Sequence, residues 1–167
     1  MPSTRLIAAA AAAALCTATA TFADPVDRML SEVSAQRIEA NIRKLASFGT
    51  RSSLSDTESA TRGIGAARRW ILDEMKRCGG DRLQVAFDEH HVESGPRVPT
   101  PTKFVNVVAT LPGSQPESRD RTYVVSGHYD SMPSSPVDGD SAAPGANDDA
   151  SGTAVAMELA CVMSKHT

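Results

Sequence analysis

Two short strings near the end of the chain, Gly127-His128-Tyr129-Asp130-Ser131 and Pro144-Gly145-Ala146-Asn147-Asp148-Asp149-Ala150-Ser151-Gly152, constrain its fold more than any other feature. Each reads as a turn set against a candidate strand or helix. From Thr122 to Glu158 there are six acidic residues (Asp130, Asp138, Asp140, Asp148, Asp149 and Glu158) and no Lys or Arg. Carboxylates gathered without basic partners repel one another, and such a cluster is tolerated through a cation or through raised pKa values. With a histidine in the middle, zinc is the cation that best suits the ligand set. The strings read as a metal site.

The pattern around them is that of an α/β chain. Apolar residues at Met29, Leu30, Val33, Ile38, Ile42 and Leu45 follow a helical period and predict a helix over Val26 to Phe48, closed by Gly49. A serine-rich polar loop follows, then a second helix from about Thr57 to Cys78, capped by Ser55 or Asp56 and stopped by Gly79-Gly80. Arg82 to Val92 alternates as a strand, and Lys103 to Leu111 is a second strand ended by Pro112-Gly113. Thr122 to Ser126 is short and rich in β-formers, which suits a buried central strand leading into the first string. Asp149 to Lys165 is a third helix. Helices before strands, then strand, loop and helix, predict an α/β sandwich.

The beginning of the chain has a different character. Arg5 precedes an apolar run from Leu6 to Leu15, followed by small residues. Ala18-Thr19-Ala20 and Thr21-Phe22-Ala23 each fit a signal-peptidase site, and the run is too short for a permanent membrane anchor. Residues 1–23 therefore read as a secretory signal, with an Ala-rich disordered tail as the alternative, and residues 24–167 as one domain. The expected location is secreted or periplasmic. Acids outnumber bases, 20 to 17, and aromatics make up 4% of the chain, which argues against a nucleic-acid partner. Cys78 and Cys161 remain after cleavage. Export allows a disulfide between them, while their place on separate helices favours simple burial.

His128 follows the predicted strand directly, where side chains project into the ligand crevice of α/β folds. Asp130, two residues on, is placed to accept the other ring N–H and raise the basicity of the metal-binding nitrogen. Asp149 has a role at hand as a helix cap. Asp148 does not, because two adjacent carboxylates repel, and a metal-bridging role resolves this.

Together the strings resemble the zinc-dependent exopeptidases that include the secreted bacterial leucyl aminopeptidases, with glutamate carboxypeptidases and glutaminyl cyclases as relatives. The resemblance runs from about Asn41 to Lys165, with softer matches at Phe48-Gly49-Thr50-Arg51 and Asn106-Val107-Val108-Ala109. It implies a three-layer sandwich with a mixed central sheet and a site for two zinc ions. His128 is then a ligand to one ion, Asp148 bridges both, Asp130 supports His128 from behind, and Asp149 is a structural neighbour. It also implies a cis peptide between Asp148 and Asp149.

The family's Glu-Glu pair and its further aspartate and histidine ligands lie beyond Thr167. The chain is thus expected to be the N-terminal part of an enzyme, truncated after the third helix and inactive alone. Glu89, His90, His91, Glu158 and His166 are not expected in the site. The implied activity is hydrolysis of N-terminal residues from peptide substrates. A carboxypeptidase or glutaminyl-cyclase-like activity, or a non-catalytic binding role, is the alternative.

Overall fold

The computed structural model describes residues 24–166. The signal-peptide reading of residues 1–23 lies outside them. In chain order the regular elements are α1 (Pro25–Glu32), α2 (Ala35–Ala46), α3 (Gly63–Gly79), β1 (Gln84–Val92), β2 (Thr102–Thr110) and α4 (Ser151–Met163). None of the helices among the described residues is long and apolar enough to cross a membrane.

The helix expected over Val26 to Phe48 is two helices. Val33 adopts extended backbone, and Ser34 caps α2 by accepting from the Arg37 amide. The break holds because a distant carboxylate takes the freed backbone donor: the Ser34 amide donates to Glu158 of α4 at 2.7 Å. Arg37 completes the arrangement through its Nε, 2.9 Å from Glu158 Oε2. Glu158 is buried, and burial pushes its carboxyl pKa upward. The bonds from Arg37 and from the Ser34 amide outweigh that and hold it below the ordinary carboxylate range.

The second helix also starts later than expected. Asp56 spends its carboxylate on the amides of Glu58 and Ser59 in a turn, so the chain does not become helical until Gly63. Ser55 is nevertheless a cap, reaching across to accept from the Ile64 amide at 2.9 Å.

Strands β1 and β2 pair antiparallel, from Gln84 opposite Thr110 to Val92 opposite Thr102. Val85, Val107 and Ala109 share one face and pack against the core of Leu45, Ile71, Met75, Leu83, Ala150 and Met157 supplied largely by α2, α3 and α4. A second cluster, Phe48, Ala66 and Ala67 with Trp70, continues it towards Tyr129. Cys78 of α3 and Cys161 of α4 form a disulfide with Cα atoms 5.3 Å apart, so the thiols are bridged rather than simply buried.

The architecture among the described residues is therefore helical with a small antiparallel sheet, compatible with an α/β fold. The strand expected at Thr122 to Ser126 does not form. The segment has no regular structure, and Tyr123 and Val124 are 86% and 83% exposed. β-propensity records packing against neighbours rather than a backbone preference, and here no neighbouring strand bonds to the segment.

Candidate metal centre

His128 is placed by a close approach of two backbones. A Cβ at Gly127 would stand 2.4 Å from both the Gly152 carbonyl carbon and the Thr153 nitrogen, so only glycine lets the chain pass this near the first turn of α4. That approach brings the His128 amide within 3.1 Å of Asp149 Oδ2, while Asp149 Oδ1 accepts from the Gly152 amide at 2.8 Å. Asp149 thus joins the histidine turn to the helix start.

Asp148 precedes it across a cis peptide bond, as the resemblance implied, and Asp148 and Asp149 both lie outside helical backbone geometry. Gly145, at φ 43°, reverses the chain ahead of them, and its carbonyl accepts from the Ala150 amide.

The four expected side chains converge on one turn. His128 Nδ1 lies 3.1 Å from Asp130 Oδ1. On its other edge, Nε2 lies 3.0 Å from Asp148 Oδ1 and 4.0 Å from Asp149 Oδ2. Burial pushes the imidazole pKa down, but the carboxylates of Asp130, Asp149 and Asp148 outweigh it and raise the value above the ordinary histidine range.

This geometry carries a chemical demand. A neutral imidazole that donates Nδ1–H to Asp130 turns the Nε2 lone pair towards a carboxylate oxygen. Two lone pairs at that separation need a proton or a metal cation between them. Ligands at about 2.0–2.1 Å in a tetrahedral zinc shell stand about 3.3 Å from each other, so the two donors need little movement to share an ion. Asp148 is 88% exposed and its carboxylate remains accessible. The donor set fits zinc in chemistry, with two ligands. Among the described residues, no group of three or more His, Cys, Asp or Glu side chains is placed to hold a metal.

The other acidic and histidine residues stay away from this turn. Glu158 is engaged by Arg37, His90 pairs with Asp88 on β1, and His166 lies 3.0 Å from Glu32 of α1.

Sequence reasoning missed the frame behind the pair. In the serine-rich loop after α2, Thr50, Ser52 and Ser55 are buried, and Arg51 is fully so. Its Nε donates to the Tyr129 carbonyl at 2.7 Å. Nη1 donates to the carbonyls of Leu45 (2.9 Å) and Pro144 (2.7 Å), and Nη2 to that of Gly145 at 3.0 Å. Burial lowers the guanidinium pKa from its ordinary value, with the Asp130 charge acting in the opposite sense.

Ser131 completes the frame. It accepts from the Arg51 amide, donates its hydroxyl to the Ala143 carbonyl at 2.6 Å, and returns its own amide to the Arg51 carbonyl. Tyr129, whose phenol is pushed up to about 12 by burial, donates to the Val105 carbonyl of β2. The signal in the sequence was the softer match at Phe48-Gly49-Thr50-Arg51, which named the arginine but not its partners.

Comparison with known proteins agrees with this chemistry. Residues 106–167 match Peptidase family M28. The chain is 50% identical over 145 residues to a probable zinc metalloprotease of Leptosphaeria maculans, covering 85% of this chain and 33% of that protein. It is 48% identical over 146 residues to one of Pyrenophora teres f. teres, covering 86% and 30%. A third, of Pyricularia oryzae, is 48% identical over 138 residues, covering 81% and 27%. The matches support a zinc peptidase family. The chain spans about a third of the length of these relatives.

Proposed function

We propose that residues 24–167 are the N-terminal part of a zinc peptidase domain, belonging to an exported two-zinc aminopeptidase that removes N-terminal residues from peptides. One observation carries the reading: His128 Nε2 and Asp148 Oδ1 face each other at 3.0 Å while Asp130 holds the opposite ring nitrogen. His128 and Asp148 are the residues that would hold the metal, Asp148 as the bridge. Bound zinc supplies an acidified water and polarises a carbonyl, the chemistry an amide bond requires.

The chain's own residues prepare for that. Asp130 fixes the ring orientation and tautomer of His128. Asp149 leaves the metal pair free by spending its oxygens on the His128 and Gly152 amides. The disulfide supports export, since such bonds persist in oxidising compartments. On this reading the helices and hairpin belong to a three-layer sandwich with a mixed central sheet.

Calorimetric titration with zinc tests the assignment. With two donors in place of the four of a closed site, affinity weaker than about 1 µM is expected. Binding should be abolished by either His128→Ala or Asp148→Asn. Turnover of aminoacyl-p-nitroanilides by the 167-residue chain is not expected, because the described residues place no general base beside the pair. Tight zinc binding that survives both substitutions, or zinc-dependent turnover by this chain, would overturn it.

A further inference from the structure

We propose that Arg51 is a positioning residue for the metal pair, fixing the spacing of His128 and Asp148 by clamping the two turns that carry them. This rests on the metal reading above. A buried cation is costly unless its donors are satisfied, and in this chain four of its five N–H groups reach backbone carbonyls. Those carbonyls belong to three separate segments: Leu45 at the end of α2, Tyr129 next to His128, and Pro144 and Gly145 ahead of Asp148.

A guanidinium is planar and rigid, so the distances between the carbonyls it binds are set by its own covalent geometry. The His128 turn and the Asp148 loop are thereby held to one template. Ser131 adds a second tie between the same segments. There is little slack, because a Cβ on Gly145 would come within 3.1 Å of Arg51 Nη2. Arg51 touches neither donor atom and acts through the backbone beside each.

Cobalt(II), which occupies zinc sites and reports its ligands by visible absorption, is the probe, titrated into the full 167-residue chain. Arg51→Lys keeps the charge but offers three N–H groups from a single point and cannot reproduce the fork. It is expected to stay folded by circular dichroism, to bind cobalt about 10- to 100-fold more weakly, and to shift the absorption band.

Folded Arg51→Lys with wild-type affinity and spectrum would overturn the proposal. Should the lysine variant not fold, Arg51→Gln removes the buried charge and carries the same test. A folded glutamine variant that binds as wild type, or unfolding of both, makes Arg51 a structural residue and overturns the positioning role. Failure of the metal reading itself would show separately, as wild-type cobalt binding by His128→Ala and Asp148→Asn, in which Arg51 is untouched.

Discussion

The turn from His128 to Ser131 and the segment from Thr122 to Ser126 that leads into it are contiguous in sequence and opposite in environment. The turn contains only polar or small groups apart from Tyr129. It is nevertheless tied to α2, β2, α4 and the Asp148 loop by bonds from Arg51, Ser131, Tyr129 and Asp149. The segment before it carries Tyr123, Val124 and Val125, and all three are exposed. Apolar content creates order only where another surface covers it, whereas a directed donor creates order with whatever carbonyl it reaches. In this chain the turns that carry His128 and Asp148 are fixed by the second kind of force, although the segment before His128 forms no strand.

The strongest way to break that comparison is to cut the staple between α3 and α4. Replacing Cys78 and Cys161 by serine should cost about 2–5 kcal/mol, read as a lower urea midpoint. An unchanged midpoint would mean the turns and their helix are held without it. Next comes Gly127→Ala, at the hinge between the two regions. The added methyl meets the backbone of Gly152 and Thr153, and a loss of about 1–3 kcal/mol is expected in thermal or chemical melts. Stability equal to wild type would show that α4 is free to move away from the turn.

Glu158→Gln sharpens the picture on the α4 side. Arg37 is 51% exposed, so the expected cost, about 1–2 kcal/mol, is below that of breaking a fully buried pair. The pH dependence has a definite sign. The folded-state pKa of Glu158 is depressed, so its contribution is present at neutral pH and lost as pH falls below the ordinary value of 4.5 through the folded value. Melting temperatures from pH 7 down to about 3 should fall more steeply for wild type than for the glutamine variant. Parallel curves would remove Glu158 as the acid-sensitive tie. The smallest effect is expected at Val124→Asp. Stability should change by less than about 0.5 kcal/mol, while light scattering should show less self-association, because an exposed apolar edge has become charged. Unaltered association would place the sticky surface elsewhere.

The contrast also explains what could be read from sequence. Helical periodicity located α3 and α4, alternation located β1, and a nearly continuous apolar run located β2, because these patterns are local. His128, Asp130, Asp148 and Asp149 were legible as a group since each lies within a short string whose neighbours dictate its turn. The break between α1 and α2 was not, as it depends on a carboxylate 124 positions away. Arg51 was illegible for a related reason. Its partners are carbonyls, which every residue carries, so no side chain in the sequence announces them. The run at Thr122 to Ser126 has the composition of a strand and forms none, because pairing is a property of two segments and composition describes only one.

The Cys78–Cys161 bridge has a bearing on how the molecule survives proteolysis. Its cysteines lie 83 positions apart, and the exposed stretches at Glu93–Thr100 and Gly113–Glu117 fall between them. A protease that nicks either stretch leaves two pieces still joined by the bridge, with the Arg51 contacts to the turns of His128 and Asp148 in the same covalent molecule. Nicked material would run as intact chain on a gel without reductant and as two fragments with it. A cut backbone there need not separate His128 and Asp148 from Arg51.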